Sequence, residues 1–373
     1  MFEAFDVPRN LVPSDPRLAC GPSLIPTKNV QRLLEAAPTL LGTSHRKPGV
    51  KNLVGEIQEG LADYFNLPEG YEVVLGNGGA TFLFDALALG AVEKRSAHFV
   101  CGEFSAKWFK SHSLVPWIES VEILAENGQG LTPEPVPGAD LICSTLNETS
   151  TGVMVDSYEK LKGGRALVAV DATSGGGQIP CDVSAIDFFF FSPQKVFASE
   201  GGLFLALMSP RAIEHCLRLA LDKKRYIPQI MNLKTAIENS RKCQTFTTPS
   251  LSTLFLLNET VKTLGNLGFS QVAQDSQKKA DLIYGWAQDR DYLSPYVKEV
   301  KYRSLSVATI DLDDRYDVDA LLARLRELKV VYDIDSYRKL KRNQFRIPLF
   351  PSIAFDDLEK LTKIIDLAIE LCA

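Results

Sequence analysis

The sequence predicts an α/β protein in which a large, mostly parallel sheet domain is followed by a smaller α+β unit. Three observations carry this expectation. Short apolar runs alternate with helical patterns over residues 71–221. The pattern changes after Arg290. The chain has 373 residues, more than the ~250–300 at which a single core stops growing.

Seven runs read as strands of the large sheet: YEVVL, AHFVC, SVEIL, ADLICS, ALVAVD, AIDFFFFS and GLFLALM. Each is short, uninterrupted and rich in Val, Leu, Ile or Phe, as strands buried on both faces are. Helical patterns between them cover about 80–93, 105–113 and 210–221. Gly201 and Gly202 open the last of the seven strands. An amphipathic stretch follows over 250–267, with Leu251, Leu254, Phe255, Val261 and Leu264 at helical spacing. A polar helix is expected near 271–288. Beyond it, a strand at 304–312, a helix at 318–329, strand-like segments at 330–334 and 344–349 and a final helix from Asp356 make up the smaller unit. No internal repeat or low-complexity segment interrupts this order.

Composition narrows the function. Hydrophobic residues make up 45% and charged residues 23%, as in ordinary globular domains. A net charge of −5 without a basic block argues against nucleic-acid binding. Seven cysteines lack CxxC spacing. They read as free thiols of a reducing compartment, not as a disulfide frame or zinc site. MFEAFDVPRN is not a secretory signal, and no run approaches the ~20 apolar residues of a membrane span. The expected location is the cytoplasm. His98, His112 and His215 show no ligand spacing, and no metal is expected.

The chemistry is concentrated at two strand ends. ALVAVD ends at Asp171, and DFFFFSPQK ends at Lys195. Ligands of open α/β sheets bind beyond the carboxyl ends of the strands. A lysine that condenses with an aldehyde and a carboxylate facing a ring nitrogen are what pyridoxal 5′-phosphate requires of a protein. Taken alone, Asp171 could instead cap the next turn, and Lys195 could be a solvated loop lysine. GNGGAT, before the apolar helix FLFDALALGAV, could be a tight turn or a phosphate cradle at a helix N-terminus.

The flanking segments favour the functional reading. CGPSLIP, LGTSHRKPGVKNL, VLGNGGAT, GEFSAK, NETSTG, VDATSGG, SPQK, TFTTPS and YRKLKRNQFRIPLFP run in order along nearly the whole chain. Together they resemble the class V aminotransferases of the aspartate aminotransferase fold (fold type I). Within that class the pattern is most similar to the phosphoserine aminotransferase family, in its high-GC Gram-positive form. The resemblance implies a large domain over 16–266 and a small domain built from 1–15 and 267–373.

The resemblance also implies roles. Lys195 forms the Schiff base, and Asp171 holds the pyridinium nitrogen. Ala80 and Thr81 bind the cofactor phosphate, with Thr173 a weaker candidate. Phe104 stacks on the ring. Thr149 bonds the ring O3′, with Thr151 a competitor, and Gln194 touches the cofactor beside the lysine. Thr247 and Thr248 reach the phosphate of a partner subunit's cofactor, which implies a homodimer with composite sites. The alternative for TFTTPS is an N-cap threonine before a proline at N1.

Among the substrate residues, Arg346 forks the α-carboxylate. His45 and Arg46 bind the distal anion, either a phosphate or the glutamate side-chain carboxylate, and Arg338 is a second phosphate-binding arginine. The implied reaction moves an amino group from L-glutamate to 3-phosphohydroxypyruvate in ping-pong fashion. It yields 2-oxoglutarate and O-phospho-L-serine for serine biosynthesis, with a related acceptor in pyridoxine biosynthesis. The chain departs from the familiar family pattern in three places. No arginine stands near Gly79. Tyr337 replaces a histidine. The loop from Arg338 to Arg346 is longer and adds Lys339, Lys341 and Arg342. The rival readings are another class V enzyme, of the serine or alanine–glyoxylate type, and a non-catalytic binding protein on the same fold.

Overall fold

The computed structural model describes residue 2 and residues 5–371. Cys372, counted above among the thiols, lies outside them. Helices α1 (Thr27–Leu40) and α2 (Pro48–Tyr64) lead into β1 (Glu72–Asn77) and α3 (Ala80–Gly90). Next come β2 (Arg95–Val100), α4 (Glu103–Ser113), β3 (Glu119–Leu124), β4 (Leu141–Thr145) and the short hairpin β5 (Asn147–Glu148) and β6 (Val153–Met154). Then follow β7 (Leu167–Asp171), β8 (Phe188–Phe191), β9 (Leu203–Met208), α5 (Pro210–Leu219), α6 (Leu233–Ser240), α7 (Leu251–Leu267) and α8 (Phe269–Gln288). The chain closes with β10 (Leu293–Pro295), β11 (Val307–Leu312), α9 (Val318–Glu327), β12 (Gln344–Pro348) and α10 (Phe355–Glu370).

All seven expected runs lie in one seven-stranded sheet, ordered β1-β9-β8-β7-β4-β2-β3. Only β9 runs against its neighbours; it pairs antiparallel with β1 and β8. The remaining pairs are parallel. Strand periodicity sends alternate side chains to opposite faces. Phe189 and Phe191 join one apolar core with Val168, Val170 and Leu205. Phe188 and Phe190 join a second core with Leu167, Ala169 and Ala206. Both faces are therefore covered over the central strands, which is why β7, β8 and β9 are almost wholly apolar, whereas the edge strand β3 is partly exposed. Burying each such Phe contributes roughly 1.5–3 kcal/mol.

The C-terminal part forms a three-stranded antiparallel sheet, β10-β11-β12. The N-terminal segment is tied to its helices. Ser14 donates from its backbone N (2.6 Å) and its hydroxyl (2.7 Å) to Asp357 on α10. Arg324 on α9 donates to the carbonyl of Phe5 at 2.8 Å.

Two local expectations are corrected. Residues 330–334 do not form a strand; Tyr332 makes only an isolated bridge to Arg17. Asp333 has φ 68 and Lys329 φ 60, in the left-handed region, which prevents a continuous extended ladder. The helix after TFTTPS is capped by Ser250, whose hydroxyl accepts from the Thr253 backbone N at 3.3 Å. Thr248 is therefore not the N-cap.

Candidate active site

β1, β7 and β8 point their carboxyl ends at one cavity of about 180 Å³. Asp171 closes β7, and Lys195 lies four residues beyond β8. The cavity is lined by Ala80, Thr81, Phe104, Thr149, Asp171, Thr173, Gln194 and Lys195. Eight residues singled out from the sequence thus converge on one space.

Lys195 is only 8% exposed. Its Nζ donates to the Cys20 carbonyl at 2.8 Å and lies 5.7 Å from the centre of the Phe104 ring. Burial pushes its pKa down to about 8, and the Arg346 charge acts in the same direction, while Cys20, Asp171 and Glu148 oppose it. An amine so placed is available as a neutral nucleophile near physiological pH. The CGPSLIP segment packs directly on it. A Cβ at Gly21 would collide with the Lys195 side chain, so a glycine is needed there.

Asp171 is also buried. Its Oδ1 accepts from the Thr173 backbone N (3.0 Å) and hydroxyl (2.5 Å). Burial pushes its pKa up to about 6 against the pull of these two bonds; the Glu148 charge adds to the rise and Lys195 opposes it. A cationic ring nitrogen beside the carboxylate would supply the missing counter-charge. The Thr173 hydroxyl is engaged by Asp171 while the residue lines the cavity.

At the opposite wall, α3 begins immediately after two glycines with positive φ, Gly78 (φ 123) and Gly79 (φ 81). The first-turn N–H groups of a helix have no partners within it and favour an anion. Ala80 and Thr81 carry two of these groups. Gln194 adds a buried Oε1 without a hydrogen-bond partner. Thr149 lines the cavity. Thr151 is turned away, with its hydroxyl on the Cys101 carbonyl at 3.1 Å.

Arg346 sits on β12, opposite Thr309 in the register. Its Nη1 reaches the Thr149 carbonyl at 3.5 Å, and its guanidinium lies 5.5 Å from the Tyr337 ring. Its Nε is buried without a partner. No carboxylate pairs with Arg346 among the described residues, so its fork is left for an external anion.

The other expected substrate residues, and the two threonines expected at a cofactor phosphate, lie elsewhere. Arg46, Arg338, Thr247 and Thr248 are exposed, and none of them lines the cavity. His45 is buried with an unpartnered Nε2; burial and then the Arg46 charge lower its pKa. Within the basic loop, Lys339 pairs with Glu103 at 2.5 Å and Arg342 pairs with Asp311 at 2.8 Å.

Sequence reasoning missed Glu148. It is fully buried and accepts from the backbone N of Phe104 (3.2 Å) and of Ser105 (3.0 Å). It also accepts from the hydroxyls of Ser105 (2.9 Å) and Ser150 (2.7 Å). It thereby caps α4 and fixes the position of Phe104. Its place beside Thr149 in NETSTG was the only available signal. His98, His112 and Cys143 also come together, buried under the sheet. There the two imidazoles share the Ser96 hydroxyl at 3.0 and 3.2 Å, and burial pushes His112 down to about 3.

A model of the aminotransferase class V family matches residues 130–331. That span contains both Asp171 and Lys195, and the chain belongs to this family. The chain is 44% identical to phosphoserine aminotransferase of Corynebacterium glutamicum (strain R), over 98% of this chain and 97% of that one. Within class V it belongs to the phosphoserine aminotransferases. The crystal structure of a phosphoserine aminotransferase from Cytophaga hutchinsonii matches with a TM-score of 0.88 at 26% identity, covering 95% of this chain and 98% of that one. A PLP-bound phosphoserine aminotransferase from Trichomonas vaginalis shares the fold, with a TM-score of 0.79 at 17% identity and coverage of 94% and 99%. The membership bears out the sequence reading of fold and family. No described helix is long and apolar enough to cross a membrane.

Proposed function

We propose that this chain holds pyridoxal 5′-phosphate in the strand-end cavity and transfers an amino group from L-glutamate to 3-phosphohydroxypyruvate. The products are 2-oxoglutarate and O-phospho-L-serine, on the route to L-serine; a related phosphorylated 2-oxo acid of pyridoxine biosynthesis is a second acceptor. One observation carries the reading: Lys195 and Asp171 end neighbouring parallel strands and face one cavity opened by the N-terminus of α3. The donor set fits the cofactor, with an amine of lowered pKa, a buried carboxylate lacking a cation, and helix N–H groups for a phosphate.

Bound there, the cofactor supplies an aldehyde for the amine and an electron sink for bond breaking at the substrate Cα. Lys195 Nζ carries the proton away from Cα and returns one on the acceptor. Asp171 keeps the ring nitrogen protonated, and Phe104 covers the ring face. The Thr149 hydroxyl serves the ring O3′, and Gln194 Oε1 faces the cofactor beside the lysine. Ala80, through its backbone N, and Thr81 hold the phosphate. The familiar arginine near Gly79 is missing here, so the helix N-terminus takes a larger share of that charge. Arg346 grips the α-carboxylate of donor and acceptor alike.

The distal phosphate needs more cations than one chain brings to the cavity. His45 and Arg46 lie outside it, and in a homodimer the second copy would deliver them, together with Thr247 and Thr248 for the cofactor phosphate. Arg338 joins them from the small domain, with the division at 16–266 against 1–15 and 267–373. The enzyme works in the cytoplasm.

The test is a half-reaction on purified holoenzyme, followed by absorbance. Phosphoserine and glutamate should each bleach the yellow cofactor band, whereas serine and alanine should leave it. Bleaching by serine or alanine alone would replace the reading with a serine or alanine–glyoxylate aminotransferase. A preparation that takes up no cofactor would mean a binding protein.

A further inference from the structure

A second buried amine stands apart from the strand ends. Lys279, on α8, is 6% exposed and donates to the Phe350 carbonyl at 2.8 Å. An ammonium has three donors, so two remain. No carboxylate pairs with it among the described residues. Asp275, the nearest acid on the same helix, is already engaged by Lys278 at 3.2 Å and by the Gln271 amide at 2.9 Å.

Lys279 borders a cavity of about 420 Å³. The walls are mostly apolar: Leu267, Val272, Pro351, Ile353 and Phe355. Leu267 is 52% and Phe355 41% exposed at the rim. Ser276, also in the wall, spends its hydroxyl on the Val272 carbonyl. One cation with unspent donors therefore sits in an oily pocket that opens to solvent.

Buried charges are stable when paired. We propose that this cavity is a binding site for a small monocarboxylate with an apolar tail, its carboxylate on Lys279 and its tail among Val272, Ile353 and Phe355. Asp275 and Lys278 also line the cavity and pair with each other at 3.2 Å, which leaves Lys279 as the one uncompensated cation among the described lining residues, and a monoanion matches it. A phosphate dianion would bring a second negative charge beside the Asp275 carboxylate. Burial pushes Lys279 down to about 8, with the Asp275 charge opposing, in keeping with an ammonium that lacks its counter-ion. The site does not depend on the transamination reading.

The test is isothermal titration of the holoenzyme with hexanoate, beside hexanamide as a neutral probe of the same shape. Because Arg346 could also take a carboxylate, the titration is repeated on Arg346→Ala. Hexanoate should bind saturably to wild type and to Arg346→Ala, and at least about tenfold more weakly to Lys279→Met, the scale of one lost charge-assisted contact. Hexanamide should bind weakly and equally to wild type and Lys279→Met. Ile353→Trp fills the cavity without touching the amine and should block hexanoate, which keeps the test usable if Lys279→Met fails to fold. No saturable binding to wild type, equal hexanoate binding to Lys279→Met, or loss of binding in Arg346→Ala would each overturn the proposal.

Discussion

Asp171 and Lys195 stand at the ends of two neighbouring strands, buried and held by hydrogen bonds. Arg46, Arg338, Thr247 and Thr248 stand on exposed loops, and none lines the cavity within its own chain. The contrast follows from what each group does. Proton transfer and ring electrostatics need fixed geometry and shifted pKa values, which a buried sheet end provides. A phosphorylated substrate must enter and leave, so its charge partners belong on segments that close around it. Under the proposed roles, the strand-end residues and the two threonines, which serve the cofactor, should affect every substrate alike, and Arg46 and Arg338 chiefly the phosphorylated one.

The largest effect should come from Lys195→Ala. Turnover with phosphoserine and with glutamate should fall to background, together with the yellow absorbance of the bound cofactor. Retained transamination would break the strand-end half of the comparison. Asp171→Asn should cost on the order of 10²–10³ in kcat, the scale for losing one preorganised electrostatic group. The loss should be equal for glutamate and phosphoserine, as measured by stopped-flow half-reactions. Arg46→Ala sharpens the other half. It should lower kcat/KM for phosphoserine by about tenfold or more and change that for a short unphosphorylated amino acid little.

The smallest effect concerns the stability of the cofactor-free protein. The Lys195 pKa falls from 10.5 to about 8 on folding, so between those values the unfolded chain binds more protons. Stability should therefore rise with pH across that window, by up to about 3 kcal/mol. Lys195→Met should remove this rise in urea titrations. Asp171 acts in a lower window. Its pKa rises from 3.8 to about 6, the folded state holds the extra proton, and its contribution should decline as pH increases through that range.

Legibility in the sequence follows the same division. Six of the seven large-sheet strands are readable because they are largely buried on both faces and hence mostly apolar; β3, at the sheet edge, is half exposed and carries Glu119 and Glu122. The two reactive residues are readable because they interrupt such runs at the carboxyl end. The segment 330–334 misled because Val330, Val331 and Ile334 are buried as a strand would be. Its backbone hydrogen bonds are scattered instead over three segments: Val330 donates to Leu325, Tyr332 exchanges bonds with Pro16 and Leu18, and the Ile334 carbonyl accepts from Arg346. β10 spans three residues, too few to show a period. Glu148 and the Cys20 carbonyl act through chain segments brought together only by folding, and a backbone carbonyl leaves no mark on a sequence. Under the proposed dimer, the positions of Arg46 and Thr247 relative to the cavity would depend on how a second copy docks, which no local pattern encodes.

The most direct measurement is complementation between an inactive variant and an impaired one. Lys195→Ala and Arg46→Ala are each purified, unfolded together and refolded as a mixture, then assayed with phosphoserine. If the second copy supplies Arg46 to the strand-end cavity, half the dimers are mixed and each carries one intact site, so activity should recover to about a quarter of wild type. A mixture no more active than its components would contradict the account, because each chain would then be using its own Arg46.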